Sequence, residues 1–398
     1  MAQTGEVKKG LGGAFEKGKT NWIQIAAQCH DHTMMLAGLP AKKFYFEPKL
    51  NCDAGAQVSS YYGFDSVSIG FDAYNIEIEA LGGKMIYGEN SMPTIDFRDP
   101  LIKKPEDLDK LRKKEVDWYN DGRFPFILKS LDFNLEYGFG TSLYCSPFSM
   151  AVGMRSFPKL IRDMRKNPKF AHEIFTYIVD DVILPWIKVQ NESSGNIMAI
   201  GADAWACIPN LSVKEMMEWI VPYNKRLMDK AVKKGVLVMN VSGDYCEERM
   251  ERYSKEVLHG SFDVEIASAG VPSLFLAMGR WHEYPLEDVR DYTAKYRNEN
   301  KNVTVTAGLN ARLLRDGPVE KIVDNVKRFI DAFGRDHELS LFLANIPADA
   351  PSDHIHAAVA AAHTYGQLPL ADNLDDIEFE LPKKESFKEW QKNNNLTL

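Results

Sequence analysis

The chain has 398 residues, a net charge of −8, and 45% hydrophobic and 26% charged residues. These are globular values, and the acidic balance argues against nucleic acid or an anionic membrane as the main partner. No apolar stretch approaches the ~20 residues that span a bilayer. The five cysteines, an odd number with no CxxC pair, fit free thiols in a reducing cytoplasm better than a disulfide framework.

Residues 1–20 are rich in glycine and lysine, contain no apolar signal core and read as a loosely packed arm. Trp22–Cys29 is the first expected strand, and MMLAGL opens a helix after it. The second strand is Ser66–Asp72, followed by IEIEALGGKMIY, an excursion over one end of the sheet, and by a charged helix in KPEDLDKLRKKEVDW. Thr141–Ser146 is the third strand. The amphipathic stretch Phe157–Gln190 breaks near Asn167-Pro168 and reads as two helices. Strands four to eight are Asn196–Asp203, Val236–Ser242, Phe262–Ile266, Val303–Gly308 and Leu339–Asn345. Helices are expected over Lys214–Lys234, Glu247–Leu258, Leu286–Asn298 and Val319–Ala332.

Eight apolar strands alternating with helices predict a parallel α/β sheet. Several strands lack polar alternation, as when both faces are buried. A (β/α)8 TIM barrel over residues 21–366, with the N-terminal extension 1–20 and a polar tail 367–398 on the surface, is the economical closure. An open doubly wound sheet is the rival, but its glycine-rich dinucleotide fingerprint is missing after the first strand.

A barrel of this kind carries chemistry at the C-terminal ends of its strands. Strand one ends at His30-Asp31-His32, strand two at Asp72-Ala73-Tyr74, strand three at Cys145-Ser146-Pro147-Phe148 and strand four at Asp203-Ala204-Trp205. Strand five ends at Asn240-Val241-Ser242-Gly243-Asp244, strand six at Glu265, strand seven at Asn310 with Arg312 just beyond, and strand eight at Asn345. His30 and His32 share a face if the strand continues, a spacing that suits a metal, a general acid or a substrate hydrogen bond. Whether a metal joins them is left open. Asp31 or Thr33 caps the next helix in the bland reading. Asp72 has a structural alternative, pairing with a lysine. Cys246 lacks a histidine partner for nucleophilic work, and His354 and His356 read as surface or packing residues.

Several segments together resemble the uroporphyrinogen decarboxylase superfamily: FDSVSIGFDAYNIEIEALGG, CSPFSMAVG, PNLSVKEMMEWIVPYNKRLMDKAVKKG, VLVMNVSGD, VTVTAGLN and ANIPADAPSDHIHAAVAAAHTYG. Their order and spacing carry the resemblance over residues 20 to 366. It implies a (β/α)8 barrel and two known branches. One decarboxylates uroporphyrinogen without a cofactor. Asp72 in GFDAY matches that branch's pyrrole-orienting aspartate, but QIAAQCHDH stands where its arginine motif would be, and the first arginine of this chain is Arg98. A substrate with many carboxylates wants bidentate arginines at the mouth. The other branch serves coenzyme M through zinc held by His-x-Cys and a further Cys. The matching positions here are Asn240, Ser242 and Ala344, so that zinc site is not expected.

The resemblance is to a third group, methyltransferases that pass a methyl group from a small donor, such as an aromatic methyl ether, to the corrinoid (cobalamin) of a partner protein. On that reading His30, His32, Asp72 and Asp244 are the catalytic candidates. Asn240, Ser242 and Asn310 would hold polar groups of the substrate, Tyr74, Phe148 and Trp205 would line an aromatic pocket, and Asp203, Arg312 and Asn345 complete the contacts. The alternative is a cofactor-free decarboxylase acting on a smaller substrate, and a non-catalytic relative is a third reading. A cytoplasmic location is expected. The oligomeric state is left open, with a homodimer among the options.

Overall fold

The computed structural model describes residues 21–68, 72, 74–138, 141–242, 253–276, 285–335 and 338–398. Strand β1 (Ile25–Ala27) leads into the helix His30–Leu36, and a hairpin of β2 (Met85–Ile86) and β3 (Thr94–Ile95) forms the expected excursion. The remaining strands are β4 (Ser142–Cys145), β5 (Met198–Asp203), β6 (Leu237–Ser242), β7 (Ser273–Leu276), β8 (Thr304–Ala307) and β9 (Glu338–Leu343). They pair in parallel as two arcs, β4-β5-β6 and β7-β8-β9-β1. The segment from Asp65 to Ser68 runs beside β1: Asp65 N donates to Ile25 O at 2.8 Å, and Cys29 N donates to Ser68 Oγ at 2.9 Å. That is the place of the expected second strand, although 66–68 are not strand and 69–71 lie outside the described residues. Parallel strands with helices between them, in arcs that face one another, are the architecture of a (β/α)8 barrel.

Burial sorts the two faces of the arcs. Along β8 and β9, Val305, Ala307, Leu341 and Leu343 are buried, whereas Thr306, Ser340 and Phe342 between them are half-buried. Successive strand residues point to opposite faces, so the buried set lies under helices and the half-buried set faces the barrel interior. The helix Val319–Phe333 shows the covering layer. Ile322, Val323, Val326, Phe329, Ile330 and Phe333 recur at helical spacing, and they pack on a helix rich in buried alanines, Ser352–Tyr365.

Three expectations are corrected. The sixth strand, Phe262–Ile266, lies inside the helix Lys255–Ala269, and the strand is β7 instead. Leu258, Ser261, Phe262, Glu265, Ser268 and Ala269 are all buried, a helical period that outweighs the local alternation of FDVEI. Lys214–Lys234 is two helices, Val213–Trp219 and Val221–Val232; Pro222, with no N–H to give, stands in the first turn of the second. The stretch from Phe157 breaks at Asn167 as expected, but its second part passes through a π-helical turn, Ile178–Ile183, before Leu184–Ser194. The expected helix Glu247–Leu258 lies outside the described residues up to 252, and its described end joins the helix that starts at Lys255.

The tail closes over the helix Pro48–Tyr62. Tyr61 OH donates to Glu385 O at 2.8 Å, Gln57 Nε2 donates to Thr397 O at 3.0 Å, and Phe387 and Trp390 meet the Tyr61 ring edge-on. No helix among the described residues is long and apolar enough to cross a membrane.

Candidate functional site

A cavity of about 410 Å³ lies between the two arcs. One wall, from β4, β5 and β6, is formed by Leu143, Ile200, Ala202, Met239 and Val241 with Tyr144, whose hydroxyl is already engaged by Asn240. The other mixes Gln24, Gln28, Thr306 and Ser340 with Phe275 and Phe342, whose rings lie 5.6 Å apart. His30 and Tyr74 border the same space.

The HDH tripeptide does not end a strand. β1 stops at Ala27, and His30 opens the helix His30–Leu36. At about 100° per residue the two imidazoles diverge by about 200°. His30 faces the cavity, and its Nδ1 is buried without a hydrogen-bond partner. Burial pushes its pKa down to about 4, so the ring is neutral at pH 7. His32 is fully engaged. Its Nδ1 lies 3.0 Å from Pro347 O and its Nε2 2.7 Å from Tyr62 OH. A carbonyl only accepts, so Nδ1 carries the proton and Tyr62 donates to Nε2. His32 thereby ties its helix to the loop after β9 and to the helix Pro48–Tyr62. Asp31 accepts from Tyr45 OH at 2.5 Å and caps nothing.

Asp72 is sealed in an ion-pair network. Arg123 Nη1 and Nη2 donate to its two oxygens at 2.7 Å each, and Asn75 Nδ2 donates to Oδ2 at 3.2 Å. Arg123 Nε donates to Glu79 at 2.6 Å. Burial lifts the Asp72 carboxyl above its ordinary value, and Arg123 works against that shift. The expected structural alternative was a lysine; the partner is an arginine 51 residues along the chain.

Asp203, Asn240 and Ser242 alternate with Ala202, Met239 and Val241, so they lie on the opposite strand face from the cavity wall. They are fully buried there. Asp203 Oδ1 accepts from Ser149 N at 2.8 Å and Ser149 Oγ at 2.6 Å, while Oδ2 has no partner. Burial raises its pKa to about 6 against the Ser149 bonds. Asn240 Oδ1 accepts from Tyr144 OH at 2.6 Å and Ser146 Oγ at 3.4 Å. The Tyr144 ring reaches Asn240 across Gly201, where a Cβ would stand 2.3 Å from Tyr144 Cζ. Gly201→Ala should therefore cost about 1–3 kcal/mol through overpacking. A urea unfolding midpoint equal to that of the wild type would show that the ring does not lie there.

Glu77, which the strand-end reading missed, belongs to the same layer. Its Oε1 accepts from Cys145 N at 2.9 Å, and Oε2 is buried without a partner. Burial pushes its pKa up to about 8, so it is a neutral acid at pH 7. Cys145 is raised by burial and then by Glu77 and Asp203. Tyr74, bordering the cavity, is raised by burial and then by Cys145 and Asp203. Because Glu77 is raised above its unfolded value of 4.5, the stability it contributes is complete below pH ~4.5 and disappears as pH rises through about 8. Glu77→Gln should flatten the fall in urea midpoint between pH 5 and pH 9; an unchanged slope would contradict the assignment.

The other expected contacts are not on the cavity wall. Phe148 stacks on Phe175 in the core at 6.2 Å, and Trp205 stacks on Phe157 at 5.4 Å. Asn310 caps the helix Ala311–Asp316 by accepting from Arg312 N at 2.8 Å. Arg312 is exposed, and Asn345 is an exposed turn residue with φ +52°. Glu265 lies on the helix Lys255–Ala269, where its carboxylate accepts from Phe275 N. His354 Nδ1 is 2.8 Å from Leu314 O, and His356 packs between Tyr61 and Tyr62, as expected of packing residues. Asp244 and Cys246 lie outside the described residues. Among the described residues no group of three or more His, Cys, Asp and Glu is arranged to hold a metal.

No curated protein matches the chain. Among solved structures, a methyltransferase from Methanosarcina mazei superposes with a TM-score of 0.65 at 14% sequence identity, covering 90% of this chain and 98% of that one, a likeness of fold. A family model described as "Uroporphyrinogen decarboxylase (URO-D)" matches residues 22–365, the whole barrel from the residue before Ile23 to the end of its last helix. The chain therefore belongs to the uroporphyrinogen decarboxylase family.

Proposed function

We propose that the chain transfers a methyl group from a small O-methylated aromatic donor, bound in the barrel cavity, to the corrinoid of a partner protein. One observation carries the choice between the family's branches. The aspartate that would orient pyrrole nitrogens is Asp72, and both its oxygens are held by Arg123, with Asn75 on one of them. Those donors occupy both oxygens, and Asp72 does not border the cavity. The fold likeness to a methyltransferase is in keeping with this reading.

The cavity suits the donor and not the corrinoid, a macrocycle much larger than about 410 Å³. The corrinoid would stay on its carrier and meet the methyl group at the C-terminal rim, where it supplies a two-electron nucleophile. The positions that hold zinc in coenzyme M relatives, Asn240, Ser242 and Ala344, offer neither thiolate nor imidazole and do not fit that metal. No step is assigned to it.

In the transfer the methyl–oxygen bond breaks and the oxygen keeps the electron pair. The leaving phenolate is basic, with a conjugate-acid pKa near ~10 for an unperturbed phenol. His30 is the group we assign to it. Its neutral ring borders the cavity and carries one N–H, and a hydrogen bond from that N–H to the ether oxygen strengthens as charge develops there. Tyr74 borders the same space, and Asp244, two residues beyond Ser242 in the sequence, stays a candidate second acid. His32 acts by fixing the helix that carries His30.

Purified protein mixed with chemically reduced cobalamin and 2-methoxyphenol should produce the methylated cobalamin spectrum and catechol. An unchanged spectrum, with carbon dioxide released from a carboxylate panel, would favour the decarboxylase instead.

A further inference from the structure

We infer that the barrel cavity selects an uncharged aromatic donor and rejects its carboxylated analogues. The methyl-transfer reading supplies only the word donor; the selectivity rests on the walls. Two faces of different chemistry confront each other. Leu143, Ile200, Met239 and Val241 offer only hydrocarbon and a thioether, and the Phe275–Phe342 pair flanks the opposite side. An aromatic ring between such surfaces gains dispersion and quadrupole contacts. In volume, about 410 Å³ is ample for one substituted ring, since a dry cavity of about 150 Å³ already admits benzene in another protein.

The polar wall is neutral in kind. Gln24, Gln28, Thr306 and Ser340 can each donate and accept, which suits a hydroxyl or an ether oxygen. The His30 imidazole adds a neutral nitrogen. Among the described residues no lysine or arginine lines the cavity, and Asp65 supplies its one carboxylate. Trp22 Nε1, Ile25 N and His363 already bind Asp65, at 3.0, 2.7 and 3.2 Å. An incoming carboxylate would lose its water, find no cation on the described walls, and stand near a like charge. Such desolvation without a partner is costly. A neutral methoxyphenol meets none of these penalties.

The test reads binding, with cobalamin absent, by calorimetric titration of the purified full chain at pH 7. Methoxybenzene and 2-methoxyphenol are the neutral probes, and 4-methoxybenzoate is the charged one. Both neutral probes should bind, and the benzoate should bind ~100-fold more weakly or not at all. Ser340→Arg, which places a guanidinium on the polar wall, should narrow or reverse that ratio. Equal affinity for the benzoate in the wild type overturns the inference, and so does failure of both neutral probes to bind. Loss of methyl transfer with the binding ratio intact would sink the proposed function alone. Transfer from a carboxylated donor with the ratio absent would sink only the selectivity.

Discussion

Arg123→Leu should destabilise the protein by about 3–5 kcal/mol, the usual cost of removing one partner from a buried ion pair. Asp72 and Arg123 are both almost wholly inaccessible, and the guanidinium is divided between Asp72 and Glu79. Deleting the arginine strands the Asp72 carboxylate beside Glu77 and Glu79 with Asn75 as its remaining side-chain donor. The double variant Arg123→Leu with Asp72→Leu should recover a large part of the loss, because the uncompensated charge is removed along with its partner. Chemical denaturation of the wild type and the three variants (each single change and the double) measures the coupling. A double variant as unstable as the sum of the singles would mean that the pair does not interact as its geometry indicates. The same network explains why a residue that matches a pyrrole-binding aspartate does structural work in this chain.

His30→Ala should lower the methyl-transfer rate by roughly 10²–10³-fold, the typical cost of deleting one hydrogen-bond donor to a developing oxyanion. Stability should change little, because Nδ1 has no hydrogen-bond partner to lose. His30→Gln, whose longer amide can still donate a hydrogen bond into the cavity, should restore part of the rate. A His32→Ala variant would behave differently: it should lose stability, because it breaks the bonds to Pro347 and Tyr62. Equal kinetics for His30→Ala and wild type, under conditions where transfer is rate-limiting, would remove His30 from the reaction.

The barrel was legible from its strands. β1, β4, β5, β6 and β8 fall inside the apolar runs that mark them, and β9 begins one residue ahead of its run, because each carries β-branched or aliphatic residues bounded by turns. FDVEI misled because five residues of alternation sit inside fifteen of helical period, and only the longer window shows which period wins. The site was legible in part. His30 and Tyr74 border the cavity, but reading only strand ends overlooked the strand interiors. Gln24 and Gln28 flank Ile25 and Ala27 at a period of two, and Thr306 and Ser340 do the same beside Val305 and Leu341, so the inward wall was written in the alternation. Asp203, Asn240 and Ser242 were expected at the mouth, and the same alternation turns them to the other strand face. Arg123 left no local trace, since the pairing with Asp72 spans 51 residues and forms only once the chain has folded.

The central claim is that the donor occupies the space between the two arcs. Ala26→Phe tests it most directly, because Ala26 lines the cavity from β1 and a phenyl ring there fills the volume the donor needs. With reduced cobalamin and 2-methoxyphenol, the variant should keep a wild-type melting profile and lose methyl transfer. A folded Ala26→Phe protein that transfers the methyl group at the wild-type rate would contradict the account.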